Sequence, residues 1–170
     1  MSSIIIRAET AQEIPIATAI LQAAYGRDDE AKLVHAARDS SEHFHPALSI
    51  VAADDNQIVG YALYCRTHVG GQASALLTTI GVVPERQRQG VGERLIRHGL
   101  DRCRGLGIEL IFVIGHPEYF SRLGFRPIEA HGIQPTAPIK GIQVIDLSGS
   151  LLGKVAGSLQ IPSFMLQPAS

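Results

Sequence analysis

The stretch that decides the fold is residues 75–95, ALLTTIGVVPERQRQGVGERL. Its first half is apolar and rich in β-branched residues, which predicts a strand that ends at Pro84. A polar loop follows, and a helix with two glycines in its first turn runs from about Gly90 to Leu106. The first N–H groups of a helix have no partner inside it, and the helix dipole makes that end positive. The junction therefore predicts a cradle in which main-chain N–H groups hold phosphate oxygens.

The local charge also favours an anionic ligand. Six arginines and three acidic residues lie between Pro84 and Arg104, whereas the whole chain of 170 residues has a formal net charge of −1. A dinucleotide site with the pattern GxGxxG is excluded because Leu95 stands at the third glycine, and a Walker phosphate loop is excluded because no Gly-Lys-Ser/Thr is present. The open alternatives are a small polyanionic ligand and an ordinary strand–helix turn with a solvated arginine face.

Outside this stretch, the hydrophobic pattern predicts alternating strands and helices. Thr10 and Glu13 have the spacing of a capping box and start a helix. The nearly continuous apolar segment 108–114 predicts a strand that is covered on both faces. The other predicted strands are 4–8, 48–53, 58–67, 143–147 and 155–161, and the other predicted helices are 28–38 and 118–122. Strands that precede a strand–helix–strand crossover predict an α/β fold, α+β by some schemes, and not a bundle or a sandwich.

Length and composition predict one domain, residues 1–170, with a core at 4–128 and irregular C-terminal strands at 129–165. The balance of charges argues against wholesale binding to nucleic acid or to an anionic membrane. The N-terminus lacks a secretion signal, and no apolar run reaches the roughly 18 residues that cross a bilayer. Cys65 and Cys103 form no CxxC pair and no zinc pattern. We therefore expect a cytoplasmic protein without a metal.

The glycine junction resembles a known signature. Gln87-x-x-Gly90-x-Gly92 is similar to the Q/R-x-x-G-x-G/A acetyl-CoA signature of the GCN5-related N-acetyltransferases (GNAT). The strand before it, the helix after it and the buried strand 108–114 follow in the family's order. Segment 119–125, YFSRLGF, comes next and is similar to the family's Y-x-x-x-G-F element.

Two further segments narrow this resemblance. Residues 115–125, GHPEYFSRLGF, and 157–164, GSLQIPSF, look like the YhbS-type predicted bacterial acetyltransferases. The resemblance covers residues 4–165 and is strongest over 75–128. It implies a GNAT-like mixed, mostly antiparallel central sheet flanked by helices. It also implies an enzyme that transfers the acetyl group of acetyl-CoA to a primary amine of a small molecule or a protein by direct attack on the thioester.

The resemblance further implies where acetyl-CoA lies. In this family the strand that carries Ile80 and Val82 bends away from its neighbour and offers main-chain groups to the pantetheine and the thioester. The loop that follows wraps the pyrophosphate with main-chain N–H groups. The residues implied to bind the coenzyme are Ile80, Val82, Gln87, Arg88, Gln89, Gly90, Val91, Gly92 and Glu93.

Acetyl transfer needs a neutral amine and a proton for the leaving thiolate. A lysine-type amine with a pKa near 10.4 is only about one part in a thousand neutral at cytoplasmic pH, so a base is needed. His116 is the candidate base because it leaves the end of the buried strand, and the alternative is an ordinary loop histidine. The family usually has a tyrosine as proton donor where this chain has Phe120. Tyr119 is the candidate donor here, and water is the alternative. On a helix, the side chain of Tyr119 would point about 100° away from the direction of Phe120.

Two other functional classes stay open. One is a non-catalytic acyl-CoA-binding module or regulator, which Phe120 makes more credible, and the other is a nucleotide-binding regulator. The acceptor side is expected near residues 26–46 and 130–141, with His43 and His45 on its border. An added strand near the C-terminus could pair between two subunits and form a homodimer.

Overall fold

The structure, a computed structural model, describes residues 3–166. These residues contain nine strands and four α-helices. The strands are β1 (Ile4–Ala8), β2 (Ser49–Asp54), β3 (Gln57–Val69), β4 (Gln72–Val82), β5 (Leu110–Ile114), β6 (Arg126–Pro127), β7 (Ile133–Pro135), β8 (Ile142–Asp146) and β9 (Gly157–Leu159). The helices are α1 (Ile14–Tyr25), α2 (Asp29–Arg38), α3 (Val91–Gly105) and α4 (Pro117–Arg122).

The strands form one sheet in the order β1-β2-β3-β4-β5-β8-β6, and β9 pairs with β3 and with β7. Along the main order of the described residues, β4 and β5 are the parallel pair and all other neighbours are antiparallel. The predicted mixed, mostly antiparallel sheet flanked by helices is therefore confirmed.

For the long strands and helices, the predicted first and last residues agree closely with those of the structure. β1 has its predicted ends, and α3 begins one residue later and ends one residue earlier than expected. The predicted strand 155–161 contracts to the three residues of β9, and β6 and β7 are not predicted at all. Strands of two or three residues contain too few positions for alternation to reveal them.

Alternate residues of β2 point to opposite faces of the sheet, and helices cover both faces. Ile50 and Ala52 pack with α3, whereas Val51 and Ala53 pack with α1 and α2. The predicted buried stripe of α3 is confirmed, since all its members are buried: Ile96, Gly99, Leu100 and Cys103. This packing holds the first turn of α3 in place directly after the glycine loop.

The start of α1 is fixed by the capping box that the sequence predicts. The main-chain N–H of Thr10 donates to Glu13 Oε1 at 2.9 Å, and Arg7 donates to Glu13 Oε2 at 2.7 Å. The hydrogen bond from Arg7 lowers the pKa of Glu13 to about 2. These contacts tie the beginning of α1 to β1, so the far end of the helix, at Tyr25, has a defined position over β4.

The parallel pair β4 and β5 separates partway along its length. Within residues 3–166 the two strands pair over three positions, the last being Leu76 opposite Phe112. Just beyond, Thr78 is an extra residue in the register of β4 against β3, which is a β-bulge and bends the strand. β4 continues to Val82 while β5 ends at Ile114. A wedge therefore opens between the ends of the two strands.

We predict that Gly99→Ala destabilises the protein. A Cβ at Gly99 would lie 2.0 Å from Tyr64 Cε2, so α3 or the buried tyrosine ring would have to shift. Overpacking of this kind costs about 1–3 kcal/mol or more, which exceeds the gain of about 1 kcal/mol in helix propensity. The free energy of unfolding from urea titration measures the difference.

The matched control for this prediction is Gly105→Ala in the same helix, because a Cβ at Gly105 has no neighbour within 4 Å. We expect this control to unfold at the same urea concentration as the wild type or at a higher one. Equal stability of the Gly99 variant and the wild type would show that α3 does not depend on this close approach.

Candidate active site

The loop between β4 and α3 leaves a run of main-chain N–H groups without partners. Within residues 3–166, no carbonyl or side chain accepts a hydrogen bond from the amides of residues 88–93. The backbone is left-handed at Arg88, with φ of 62°, and at Gly90, with φ of 85°. Successive N–H groups in such a conformation form an anion-binding concavity, and the dipole of α3 adds positive potential. The loop is thus built to receive an anion.

Side chains of the same loop brace it rather than reach outward. Gln87 Nε2 donates to Val82 O at 2.9 Å, and Gln89 Nε2 donates to Glu85 O at 3.2 Å. The side chain of Val91 is buried in the core under α3. All three side chains therefore hold the loop; the main-chain N–H groups of Gln89 and Val91 are left for a ligand, whereas that of Gln87 donates to Pro84 O at 3.4 Å.

A cavity of about 410 Å³, which we call the loop cavity, lies against these amides. Arg86 on its wall pairs with Asp54 at 2.6 Å. Gly92 borders the cavity, and a Cβ at this position would meet only Val82 Cγ2, at 4.0 Å. A ligand can therefore approach the backbone here. The lining residues are Val82, Arg86, Gln87, Arg88, Gly90, Gly92, Glu93 and Tyr119.

A second cavity of about 350 Å³, which we call the wedge cavity, lies between the end of β4 and the segment that follows β5. It shares Val82, Gln87, Gly92 and Tyr119 with the loop cavity, so the two are continuous. Together they form one cleft that runs from the free amides to the inside of the wedge. The wedge cavity is lined by Ala24, Tyr25, Ile80, Gly81, Val82, Gln87, Gly92, Ile96, His116, Tyr119 and Phe120.

Tyr119 and Phe120 share the cleft but differ in burial. The ring of Phe120 is buried and packs edge-on against Phe125, with the ring centroids 5.5 Å apart. Tyr119 is half-buried and lines both cavities. Its hydroxyl makes no hydrogen bond within the described part of the chain. Burial, with a smaller contribution from Glu93, raises the pKa of Tyr119, so the phenol keeps its proton at neutral pH.

His116 lies on the same wall as Tyr119. It follows Gly115, and both residues have left-handed backbone, with φ of 48° at His116 and 82° at Gly115. A residue other than glycine rarely adopts this conformation, which occurs preferentially at functional sites. The His116 carbonyl accepts from the N–H of Phe120 at 3.1 Å and so starts α4. The structure thus brings His116 and Tyr119 together in the wedge cavity.

Tyr25 is a residue of the cleft that the sequence analysis does not identify. It ends α1, and its hydroxyl donates to Ile80 O at 2.6 Å. The close approach of α1 to β4 depends on Gly81, where a Cβ would meet Leu21 Cδ2 at 3.0 Å. Burial raises the pKa of Tyr25. The sequence feature that could have identified Tyr25 is its position directly before Gly26, at the edge of the segment expected to border the acceptor.

His43 and His45 line neither the loop cavity nor the wedge cavity. The buried His43 ring packs edge-on against Phe164 at 5.7 Å, and its Nδ1 lies 2.8 Å from Arg66 O. His45 Nδ1 accepts from the N–H of Ala47 at 3.0 Å. Both histidines stabilise the chain between α2 and β2.

Other reactive groups lie outside the cleft. Cys65 and Cys103 are buried free thiols, and burial raises the pKa of Cys65 to about 11 and that of Cys103 to about 12. Over residues 3–166, no three His, Cys, Asp or Glu side chains are grouped so that they could hold a metal ion. None of the described helices is long and apolar enough to cross a membrane.

Comparison with known proteins identifies relatives along nearly the whole chain. The acetyltransferase (GNAT) family model matches residues 15–125. The uncharacterised N-acetyltransferase YhbS of Escherichia coli strain K12 is 31% identical over 164 residues, which cover 92% of this chain and 95% of YhbS. The uncharacterised N-acetyltransferase YjhQ of the same strain is 39% identical over 108 residues, which cover 61% of this chain and 59% of YjhQ. The match to YjhQ therefore spans less than two thirds of that protein.

Solved structures agree with the fold. The crystal structure of YhbS from Escherichia coli in complex with CoA covers 99% of this chain and 95% of its own, with a TM-score of 0.90 and 26% identity in the structural alignment. A GNAT family acetyltransferase from Brucella melitensis, solved in complex with acetyl-CoA, covers 95% of this chain and 97% of its own, with a TM-score of 0.74 and 24% identity. The second likeness concerns the fold alone.

Proposed function

This chain belongs to the acetyltransferase (GNAT) family, and on that premise we propose that it transfers the acetyl group of acetyl-CoA to a primary amine by direct attack on the thioester. The observation that carries the proposal is the run of free amides at residues 88–93. A diphosphate is a dense anion that can accept several N–H groups at once, and this loop offers them beside a helix N-terminus.

The residues present fit the coenzyme along the whole cleft. Gly92 leaves open the space that a side chain would fill, and Gly90 gives the loop its left-handed turn. We propose that the main-chain N–H groups of Arg88 to Glu93 hold the diphosphate. The pantetheine then lies along the free edge of β4 beside Ile80 and Val82, which line the wedge cavity and whose carbonyls are held by Tyr25 and Gln87. This places the thioester in the wedge cavity.

The wedge cavity holds side chains suited to acyl transfer. The thioester supplies the acyl group, and its developing oxyanion needs a donor, which we assign to a main-chain N–H on the free edge of β4 near Val82. His116, directly or through water, takes a proton from the amine as the C–N bond forms. Tyr119 gives its proton to the leaving sulfur as the C–S bond breaks. The raised pKa of Tyr119 keeps that proton available.

A non-catalytic acyl-CoA-binding module is the second candidate, and Phe120 favours it. The position at which the family usually has its tyrosine carries a buried phenyl ring that has no proton to give. Both candidates require the same coenzyme site, and only catalysis separates them.

The test has two steps. Isothermal titration with acetyl-CoA measures whether the coenzyme binds, and we expect one site per chain. Release of free thiol from acetyl-CoA in the presence of a panel of primary amines then measures transfer. Binding with amine-dependent thiol release supports the enzyme, and binding without it favours the non-catalytic module. Absence of binding at high micromolar coenzyme contradicts both candidates.

We predict that Gly92→Glu abolishes tight binding of acetyl-CoA without unfolding the chain. The new carboxylate would enter the loop cavity, where its repulsion of a diphosphate at about 4 Å amounts to several kcal/mol. Affinity should fall at least about 100-fold. An acidic residue in the first turn of a helix is otherwise favourable, so the thermal midpoint of unfolding should be retained.

Gly105→Glu is the matched control for the charge. It adds the same side chain to the same helix at an open position outside both cavities. We expect its affinity for acetyl-CoA, measured by calorimetry, to equal that of the wild type. If Gly92→Glu also retained the wild-type affinity, the diphosphate would have to bind elsewhere.

We predict that Tyr119→Phe lowers kcat by about 10²-fold or more and leaves the affinity for acetyl-CoA unchanged, because a general acid typically contributes that much. The acid acts in its protonated form, so activity that depends on it is lost as pH rises through its pKa. Burial raises that pKa above the ordinary value of a tyrosine, and the alkaline limb of the wild-type kcat profile should therefore lie at higher pH than an ordinary tyrosine would give. Undiminished turnover of the variant would remove Tyr119 from the mechanism.

A further inference from the structure

Tyr25 lies in the wedge part of the cleft, away from the loop cavity. It lines the wedge cavity but not the loop cavity, as do Ile80 and His116. If the diphosphate binds at residues 88–93, the reacting end of acetyl-CoA lies toward this group. The Tyr25 hydroxyl is therefore positioned beside the reacting end of the coenzyme, where the acceptor amine must enter.

The hydrogen bond of Tyr25 has only one possible direction. Ile80 O is a carbonyl oxygen and can only accept, so the phenol proton points at it across 2.6 Å. Burial raises the pKa of Tyr25, which keeps that proton in place at neutral pH. The oxygen of Tyr25 then has no proton to give; the nearby Thr79 hydroxyl, which acts to lower the pKa of Tyr25, faces one side of it, and acceptor capacity remains for a donor in the cavity. A hydroxyl held in this way acts as a hydrogen-bond acceptor.

The two tyrosines of the cleft thus differ in what they can do. Tyr119 has no hydrogen-bond partner within residues 3–166, so its proton is free to move to another atom. The proton of Tyr25 is committed to the main chain of β4. A neutral amine in the wedge cavity has N–H groups to donate. The Tyr25 oxygen can accept one of them, because its own proton is already donated to Ile80 O.

We propose that Tyr25 binds and orients the acceptor amine by accepting one of its N–H groups, an inference that rests on the proposed acetyl transfer. A neutral primary amine has two N–H groups and one lone pair. The lone pair forms the C–N bond, and the C–S electrons leave with sulfur. One N–H proton passes to the base, and sulfur receives a proton from Tyr119 or water. The other N–H stays on nitrogen, held by Tyr25, and remains in the amide product.

This arrangement defines the substrate class as primary amines. A neutral secondary amine has one N–H, which the base must remove, so no N–H is left for Tyr25 in the product. The enzyme should therefore prefer a primary amine over its N-methyl derivative, and the preference should depend on the Tyr25 hydroxyl. Loss of one neutral hydrogen bond corresponds to about a threefold to tenfold effect.

The experiment compares wild type and Tyr25→Phe with two probe pairs, benzylamine against N-methylbenzylamine and phenethylamine against N-methylphenethylamine, by thiol release from acetyl-CoA. In the variant we expect kcat/KM for the primary amines to fall about tenfold, mainly through KM, and the preference over the N-methyl amines to fall by a similar factor. The Kd of acetyl-CoA should stay unchanged or become tighter, because Ile80 O is released.

Thr18→Val is the matched control, since it removes a hydroxyl that donates to a carbonyl, Ile14 O, in the same helix but outside the cleft. It should retain wild-type values for both amine classes. If Tyr25→Phe retains the wild-type preference for primary amines, the inference is wrong while the proposed function stands. If the wild type transfers acetyl to none of the probes but binds acetyl-CoA, both this inference and catalysis on these amines are contradicted.

Discussion

The separation of β4 from β5 after Leu76 is the constraint on which the site depends. A continuous ladder would satisfy the main-chain groups of both strands, and the opening leaves the end of β4 without that partner. Buried polar groups left unpaired cost about 1–3 kcal/mol each. Two side chains offset part of this cost, since Tyr25 donates to Ile80 O and Gln87 donates to Val82 O. The cleft therefore combines a free strand edge with two side chains that hydrogen-bond its carbonyl groups.

Two glycines fix the walls of this opening. Gly99 lets α3 lie directly on the ring of Tyr64, and Gly81 lets α1 approach β4 at Leu21. Interiors packed this closely transmit displacements rather than absorb them, so the walls keep their distances from β4. The free amides at the start of α3 and the Tyr25 hydroxyl at the end of α1 are consequently held in fixed positions in the two adjoining cavities of one cleft. Preorganised donors of this kind favour developing charge without reorganisation during the reaction.

Local patterns were enough to predict the long strands, the helices and the glycine loop, because strand alternation, helix period and caps depend on neighbouring residues. The capping box at Thr10 and the buried stripe of α3 are examples. The mostly antiparallel sheet was implied by the family resemblance, and the short strands β6 and β7 were not predicted. The contact between Tyr25 and Ile80 joins residues 55 positions apart and depends on how α1 packs, so no local pattern contains it. His43 was expected on the border of the acceptor side because of its place in segment 26–46, and its burial against Phe164 likewise joins residues far apart in the sequence.

Amide hydrogen exchange of residues 88–93, followed by NMR or mass spectrometry, tests the central claim most directly when CoA is compared with pantetheine, which lacks the diphosphate. If these N–H groups hold the diphosphate, CoA slows their exchange by a large factor and pantetheine leaves it unchanged, since no internal hydrogen bond protects them beforehand. Exchange that CoA does not slow, or that pantetheine slows equally, would contradict the placement of the diphosphate in this loop.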